Sequence, residues 1–350
     1  MVKSATRRRP EMEQPIDEFG LIRRFFAPLA KGEAGSLDLR DDAAILRPDS
    51  GCDLVLSADT IIAGVHFPED MDAGDVARRA LRVNLSDIAS KGATPRGYML
   101  ALQISNAIDE DWLQAFADGL AGDQETYRMG LLGGDTTRTP GPLAINICIV
   151  GQVSEKKMIQ RFGAQPGDDV YVTGTIGDAM LGLAVLQGRL APPDVATRDG
   201  LVTRFVLPQP RVAAGSRLVG LAHAAADVSD GLVADLGHIC EASGLAADIY
   251  LEDVPLSDAA RTAVTVDQPL RLSLLAGGDD YEIVFTAPVP LRADIASVAR
   301  ETGVAMTRIG EVVERDSRDR PVRVFDDAGQ ELDTGHGGYL HFERQVPQGK

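Results

Sequence analysis

The hydrophobic and polar residues of this chain recur with two different periods, and the change between the periods predicts the order of helices and strands. Apolar residues at helical spacing predict helices at 16–30 and 73–92, and a period of two predicts a strand at 53–58 between them. The same patterns predict four more elements in this half: a strand at 98–104, a helix at 109–128, a short strand that ends in Gly133-Gly134, and a strand at 143–153. These elements form one α/β block.

A polar segment that contains Gly and Pro, from Glu155 to Gly167, separates this block from a second series of elements. In that series the patterns predict helices at 178–187, 210–221, 231–243 and 291–302, and strands at 170–173, 225–228, 246–250, 281–286 and 306–312. We therefore predict a flexible tail at 1–15, an N-terminal domain at 16–158 and a C-terminal α/β domain at 159–350. The mixed order of elements indicates α+β or α/β domains with mixed sheets.

Composition and charge narrow the classes of protein that fit. The net charge of −17 repels nucleic acids and anionic membrane surfaces, so we expect neither as a partner. The same charge repels ATP, and a nucleotide site would need local arginines or lysines, or bound divalent cations. The cysteines, Cys52, Cys148 and Cys240, are odd in number and form no CxxC pair, which argues against a disulfide framework or a zinc site and is consistent with the cytoplasm.

Five short acidic clusters lie beside glycine or other small residues. One such cluster alone is typical of a turn, so only their occurrence together favours a metal-dependent site. The clusters are Asp41-Asp42-Ala43-Ala44, Ser57-Ala58-Asp59, Asn84-Leu85-Ser86-Asp87, Gly133-Gly134-Asp135-Thr136-Thr137 and Asp227-Val228-Ser229-Asp230-Gly231.

Asp87 is the most informative acidic residue, because on a helical period it falls on the same side as Val76 and Val83. An unpaired carboxylate in an apolar arc is costly, so it needs a cation, an ion pair or a functional cavity. The pattern places Arg79 and Arg82 on the opposite face, and we expect no Lys or Arg on the face of Asp87. We therefore expect a metal ion at Asp87 rather than an internal ion pair.

A second acidic group lies where a short apolar strand runs into a helix. Asp227 and Ser229 share one side of the strand end, and either Ser229 or Asp230 could cap the helix that follows. Two carboxylates and a hydroxyl at this junction also make a plausible site for Mg²⁺ that bridges phosphates. No Walker A or protein-kinase motif occurs, and the loop from Gly174 to Gly177 is either a tight turn or a source of N–H groups for phosphate.

Taken in order, the clusters resemble the motif series of the thiamine-monophosphate kinase family, in the superfamily of aminoimidazole ribonucleotide synthetase and selenophosphate synthetase. The resemblance spans most of the chain. Beyond the clusters it includes Gly64-Val65-His66-Phe67, Val83-Asn84-Leu85-Ser86-Asp87-Ile88-Ala89, Val172-Thr173-Gly174-Thr175-Ile176-Gly177-Asp178, Asp235-Leu236-Gly237-His238-Ile239 and Gly277-Gly278-Asp279-Asp280-Tyr281-Glu282.

The resemblance implies a two-domain aminoimidazole ribonucleotide synthetase-like fold, a homodimer with a β-barrel-like interface between N-terminal domains, and ATP in a cleft between the two domains. It implies an ATP- and Mg²⁺-dependent kinase that converts thiamine monophosphate to thiamine diphosphate. The implied metal ligands are Asp42, Ser57, Ala58 through its backbone, Asp59, Asp87, Asp135, Asp227 and Asp230. The implied nucleotide contacts are Gly134, Asp135, Arg161 and Ser229, and the implied substrate contacts are His66, Asp279 and Tyr339.

Three positions depart from the family pattern. Leu39-Arg40 replaces a lead-in that contains glycine, Ala58 stands where a hydroxyl residue is frequent, and Asp279 replaces a Glu. The first two departures affect the details of the metal ligands and not the family resemblance, whereas the shorter Asp279 affects the implied substrate contact. The acceptor is a phosphate monoester that is largely dianionic at neutral pH, so direct in-line transfer needs cations and positioning rather than a general base.

Other functions remain open from the sequence. Selenophosphate synthetase usually carries a reactive cysteine near its N-terminus, whereas the first cysteine here is Cys52 at a predicted strand, and aminoimidazole ribonucleotide synthetase usually has a glycine-rich motif in place of residues 57–60. A non-enzymatic acidic metal-binding protein would also explain the charge. The DxDxDG spacing of an EF-hand is absent, which disfavours that alternative.

Overall fold

The structure is a computed structural model that describes residues 17–267, 269–316, 320–334 and Gly338. The tail predicted at 1–15 and the implied substrate contact Tyr339 lie outside the described residues. Within them, no helix combines the length and the apolar character needed to cross a membrane.

The first half of the chain forms one four-stranded sheet covered by helices. Its elements are α1 (Glu18–Leu21), β1 (Cys52–Ile62), α2 (Ala73–Ser90), β2 (Thr94–Ile104), α3 (Glu110–Tyr127), β3 (Gly130–Arg138) and β4 (Ala144–Ser154). The strand order is β1-β4-β2-β3, with β2 and β3 parallel and the other pairs antiparallel. Alternate residues such as Leu100, Ile147 and Ile149 are buried beneath the helices, whereas Leu56, Met99 and Cys148 lie on the more open face.

The second half forms a seven-stranded mixed sheet with helices packed against it. Its elements are β5 (Asp169–Thr173), α4 (Asp178–Leu186), α5 (Val195–Val206), α6 (Val212–Arg217), β6 (Ala224–Asp227), α7 (Leu232–Ser243), β7 (Ala246–Tyr250), α8 (Asp258–Val266), α9 (Leu270–Leu274), β8 (Ile283–Ala287), α10 (Arg292–Thr302), β9 (Met306–Val313), β10 (Val322–Phe325) and β11 (Glu331–Leu332). The order is β11-β10-β7-β9-β5-β8-β6, with β7 and β10 parallel. The predicted mixed α/β fold is confirmed.

Helix α2 joins the two halves. Its first turn is capped by Asp72, whose carboxylate accepts from the N–H groups of Gly74 and Asp75, and one side of the helix packs on β1 and β4. The other side packs on α6 and β6 of the second half. A Cβ at Gly215 of α6 would lie 2.0 Å from the carbonyl oxygen of Ala89, so only glycine permits this close approach.

Some predicted elements differ from the observed ones. The predicted helix at 16–30 is α1 followed by a wider π-helical turn at Ile22–Phe26 and a 3₁₀ turn at Ala27–Ala30, because Pro28 interrupts the α-helical hydrogen bonds. The strand predicted at 281–286 begins at Ile283, since Tyr281 has a positive φ of 51°. Helices α5, α8 and α9 and strands β10 and β11 were not predicted.

Candidate active site

A cavity of about 650 Å³ lies between the two halves of the molecule and is lined by residues from both. Helix α2 and the end of β1 form one wall, and α4, the end of β6 and the loop before β8 form the other. Eight of the implied site residues line this cavity: Asp59, His66, Asp87, Arg161, Asp227, Ser229, Asp230 and Asp279. The structure therefore brings together residues that are up to 220 positions apart in the sequence.

Apolar side chains form part of the same cavity. Met180 and Leu183 project from α4, Phe205 lies near the end of α5, and Phe67 follows β1. A cavity that is lined by both charged and apolar side chains suits a ligand that joins phosphates to flat ring systems.

Asp87 is half-buried on α2 and faces the cavity, where the hydroxyl of Ser57 donates a hydrogen bond to its carboxylate. One turn earlier on the helix, the side-chain oxygen of Asn84 accepts from the backbone N–H of Asp59 at 3.0 Å. These two contacts fix the end of β1 against α2. The prediction that Asp87 lies on the inward side of this helix is confirmed.

Asp227 ends β6 and is 3% exposed. Burial raises the pKa of its carboxyl well above the usual value, and the negative charges of Asp87 and Asp235 raise it further. Among the described residues, Asp227 makes no ion pair with Arg or Lys within 4 Å. A buried carboxylate that faces other carboxylates fits a divalent cation, which would remove this electrostatic penalty.

The loop between β6 and α7 is shaped by a residue that the sequence analysis did not assign. Asp235 of α7 accepts backbone N–H bonds from Ser229 and Asp230 at 3.0 Å and from Gly231 at 3.2 Å. Gly231 precedes the helix and no side chain caps it, so the alternative that Ser229 or Asp230 is the helix cap is wrong. Burial, with a smaller contribution from the charge of Asp230, raises the pKa of Asp235 to about 7.

Asp279 is held by an arginine that the helical pattern assigned to the opposite, polar face of α2. That face is covered by the second half, so Arg79 is 1% exposed. Its guanidinium donates to Asp279 at 2.5 Å and to the carbonyl oxygen of Phe205, and it stacks over the Phe205 ring at 4.4 Å. The N–H groups of Asp279 and Tyr281 donate to the backbone of Ser229 and Val228 beside the cavity.

A lysine also shares the inward face of α2. Lys91 follows the helix and lies four residues after Asp87, and its ammonium donates to the carbonyl oxygen of Ala225 at 2.8 Å. The expectation that basic residues lie only on the opposite face is therefore wrong. The i,i+4 spacing of Asp87 and Lys91 was the signal in the sequence.

Five implied residues among those that the structure describes do not line the cavity: Asp42, Ser57, Ala58, Gly134 and Asp135. Asp42 is exposed in a bend, and Asp135 is exposed on β3, at the opposite edge of the first sheet from β1. Three strand spacings separate these edges, which is about 14 Å. A Cβ at Gly134 would lie 1.8 Å from the carbonyl oxygen of Leu100, so this glycine is required by the packing of β3 on β2.

The loop from Gly174 to Gly177 directs its N–H groups at protein acceptors. Gly174 donates to the carbonyl oxygen of Ala305, Ile176 to that of Pro255, and Gly177 to the carboxylate of Asp280 at 2.6 Å. This arrangement supports the tight-turn alternative over phosphate binding. His66 accepts the N–H of Ile62 at Nδ1, at 3.0 Å, which orients its ring at the cavity wall.

Comparisons with known proteins identify the family to which the chain is similar. The family model described as "AIR synthase related protein, N-terminal domain" matches residues 40–153, and the one described as "AIR synthase related protein, C-terminal domain" matches residues 165–321. The chain is 42% identical to the thiamine-monophosphate kinase of Escherichia coli strain K12 over 326 residues, which are 93% of this chain and 98% of that protein.

Two solved structures are similar over most of the chain. Thiamine-monophosphate kinase from Stenotrophomonas maltophilia K279a has a TM-score of 0.77 and 40% identity, and the match covers 85% of this chain and 96% of that one. "AaThiL complexed with AMPPCP and TMP" has a TM-score of 0.72 and 28% identity, and that match covers 93% of this chain and 97% of the other.

Proposed function

The chain belongs to the thiamine-monophosphate kinase family, and from that premise we propose that its cavity binds ATP and thiamine monophosphate and transfers the γ-phosphoryl group between them. The products are ADP and thiamine diphosphate. The complex of AaThiL with AMPPCP and TMP supports this choice of ligands, because AMPPCP is a non-hydrolysable analogue of ATP. The identity to curated kinases favours this function over the two synthetase alternatives and over a non-enzymatic metal-binding protein.

One observation in the structure carries the proposal. Asp87 from the first half and Asp227 from the second meet at one cavity, beside Asp59 and Asp230, and an apolar wall lies within the same cavity. Carboxylates gathered from both halves repel a polyanion unless cations neutralise them, and phosphoryl transfer between two anions requires that neutralisation. The apolar wall offers contacts to the rings of either substrate.

The residues that would hold Mg²⁺ at the cavity are Asp59, Asp87, Asp227 and Asp230, and bound Mg²⁺ would offset the charge of both phosphate groups. Asp42, Ser57, Ala58 and Asp135 remain proposed ligands by resemblance, and of these only Ser57 contacts a cavity carboxylate. Asp135 is also a proposed nucleotide contact, together with Gly134, Arg161 and Ser229.

The chain's own residues position the reactants in this proposal. A phosphate oxygen of thiamine monophosphate attacks the γ-phosphorus of ATP, and the bond from that phosphorus to the bridging oxygen breaks, releasing ADP. The attacking oxygen carries no proton, so no side chain has to remove one. His66 and Asp279 are the proposed contacts to thiamine monophosphate, and Arg79 holds Asp279 in place.

We further propose that the enzyme is a cytoplasmic homodimer. The open face of the first sheet supports association between two copies, because it presents Leu56, Met99 and Cys148, and Leu56 is 63% exposed. Its edge strands β1 and β3 have no strand partner beyond the sheet within the part of the chain that the structure describes.

The function is tested by incubating the protein with Mg²⁺, ATP and either thiamine monophosphate or free thiamine, and measuring thiamine diphosphate by chromatography. We expect product only from thiamine monophosphate, and none after chelation of the metal. An exposed-residue variant, Asp111→Asn on α3, serves as the control and should retain full activity. Comparable turnover of free thiamine would contradict the proposed acceptor.

A further inference from the structure

Lys91 is a partly buried basic residue that lies beside the carboxylate site and that the proposed reaction has not used. It follows the last turn of α2, four residues after Asp87, and its ammonium bonds to Ala225, two residues before Asp227 on β6. Burial lowers the pKa of Lys91 to about 8, and the nearby carboxylates of Asp227 and Asp87 oppose this change.

Three hydrogen bonds close a ring around this lysine. Its ammonium donates to the carbonyl oxygen of Ala225 at 2.8 Å, and its own carbonyl oxygen accepts from Ile159 at 3.1 Å. The N–H of Ala225 donates to the carbonyl oxygen of Gln160 at 2.9 Å. The ring thus ties helix α2, the segment between the two sheets and strand β6 to one another.

Each of the three segments in this ring carries a residue of the candidate site close by in the sequence. Asp87 lies four residues before Lys91, Arg161 follows Gln160, and Asp227 lies two residues after Ala225 on the same strand. A movement of Lys91 would therefore change the spacing of a carboxylate from the first half, a carboxylate from the second half and a basic residue from the connecting segment.

We propose that Lys91 is a positioning residue whose ammonium acts as a fixed monovalent cation within the carboxylate site. It holds α2, β6 and the connecting segment in fixed positions relative to one another. Its charge partly neutralises Asp87 and Asp227 before any divalent cation binds. This role deepens the proposed function and rests on it for the effect on catalysis. The effect on cation binding does not depend on which substrates the enzyme uses.

The two aspects of this role predict opposite changes when the charge is removed. Lys91→Met keeps the length of the side chain but leaves the carboxylates with no adjacent ammonium, so a divalent cation meets a more negative site and binds about tenfold more tightly. Phosphoryl transfer at saturating Mg²⁺ should nevertheless fall about tenfold, because the hydrogen bond that ties the segment of Asp87 to that of Asp227 is lost. A residue that only supports the fold would lower cation affinity and activity together.

The test measures Mn²⁺ binding to the substrate-free protein by electron paramagnetic resonance, alongside activity at saturating Mg²⁺. The variants are Lys91→Met, Lys91→Arg and Lys157→Met, the last as a control because Lys157 is exposed in the connecting segment. We expect tighter Mn²⁺ binding only in Lys91→Met, and near-normal binding in Lys91→Arg, which keeps the charge.

Unchanged or weaker Mn²⁺ binding in a folded Lys91→Met protein would overturn the proposal. Lys91→Gln, which removes the charge but keeps a hydrogen-bond donor, gives the same test if Lys91→Met does not fold. Because binding is measured without substrates, its outcome is separate from that of the kinase assay. Absent turnover in the unmodified enzyme would contradict the proposed function and leave the binding result to decide the role of Lys91.

Discussion

Two buried acidic sites in the second half of the molecule differ in how their charge is neutralised. Glu282 has no exposed surface, and its carboxylate accepts from Arg204 at 2.8 Å, from Arg211 at 2.5 Å and from the hydroxyl of Thr173 at 2.7 Å. Asp227 is buried to a similar degree, yet its charged neighbours include Asp87 and Asp235.

This difference separates a structural carboxylate from a functional one. The arginines at Glu282 are permanent parts of the fold and fill the hydrogen-bonding capacity of the carboxylate. At Asp227 the charge of Lys91 offsets the burial only in part, and we propose that a cation that is not part of the chain supplies the remainder. Acidic residues alone therefore do not indicate a metal site. The groups that surround a buried carboxylate determine whether it is a candidate metal ligand.

The largest effect is expected when the structural site is broken. Glu282→Gln leaves two buried guanidinium groups without a carboxylate, which should destabilise the protein by about 3–5 kcal/mol. The measurement is the unfolding midpoint in urea. Glu301→Gln is the matched control, because Glu301 pairs with Arg217 at the surface and its loss should cost less than about 1 kcal/mol. Equal losses in the two variants would remove the distinction.

Asp227→Asn should show the opposite profile. Removing the charge of a proposed ligand should lower the turnover rate by about 10²–10³-fold, while the metal-free protein keeps its stability or gains some. Turnover and thermal melting in EDTA are the two measurements. A variant that melts far below the parent protein and retains its activity would show that Asp227 is structural, like Glu282.

The variant Asp87→Asn extends the comparison to a proposed metal ligand in the first half of the molecule. Asp87 is only half-buried, and water can replace part of its contribution, so we expect a smaller loss of activity of about 10- to 100-fold. The half-saturating Mg²⁺ concentration should rise. A magnesium titration gives both values, and an unchanged magnesium requirement together with a lower melting temperature would contradict a ligand role.

The sequence correctly predicted which face of α2 is inward, but it incorrectly predicted that the opposite face is exposed to water. The helical period of apolar residues placed Asp87 on the inward face. In the structure that face packs on β1 and β4 of its own sheet. The same period placed Arg79 on a polar face, which assumes that water covers the other side. In the structure the second half covers it, and a packing partner from a distant segment cannot be deduced from the periodicity of one helix.

Strand order limited the prediction of the site in a similar way. The position of Asp135 after a glycine pair was evident, but the order β1-β4-β2-β3 places its strand at the far edge of the sheet from Asp59. Helix α5 was missed because Gly200 interrupts its helical pattern, although its end supplies Phe205 to the cavity and its last turn supplies Arg204 to Glu282.

A smaller effect is expected at Asp279, which is acidic and partly exposed but paired with Arg79. Asp279→Asn weakens that pair and removes a negative charge next to the cavity, so we expect the KM for thiamine monophosphate to rise about tenfold with a smaller change in kcat. Asp279→Glu, which introduces the residue usual in the family, should bind the substrate at least as well. A change confined to kcat would argue against a contact to the bound substrate.

The smallest effect concerns the dependence of stability on pH in the absence of metal. Burial raises the pKa of Asp227, raises that of Asp235 to about 7 and raises that of Asp280 to about 8. An aspartate in the unfolded chain titrates near 3.9, so between these values the folded state holds protons that the unfolded state has lost. Because the folded state binds more protons than the unfolded state, raising the pH favours unfolding. The free energy of unfolding in EDTA should therefore fall as pH rises from 6 to 8.

Asp227→Asn isolates the contribution of the functional site, because asparagine does not titrate and Asp235 and Asp280 remain. Urea unfolding at pH 6, 7 and 8 in EDTA should show a fall that is shallower in the variant by about 1 kcal/mol per pH unit or less. Saturating Mg²⁺ should reduce the fall in the parent protein, since a bound cation favours the ionised carboxylate and lowers its pKa. An equal fall in the variant and in the parent protein would mean that Asp227 stays ionised and already has a permanent counter-ion, like Glu282.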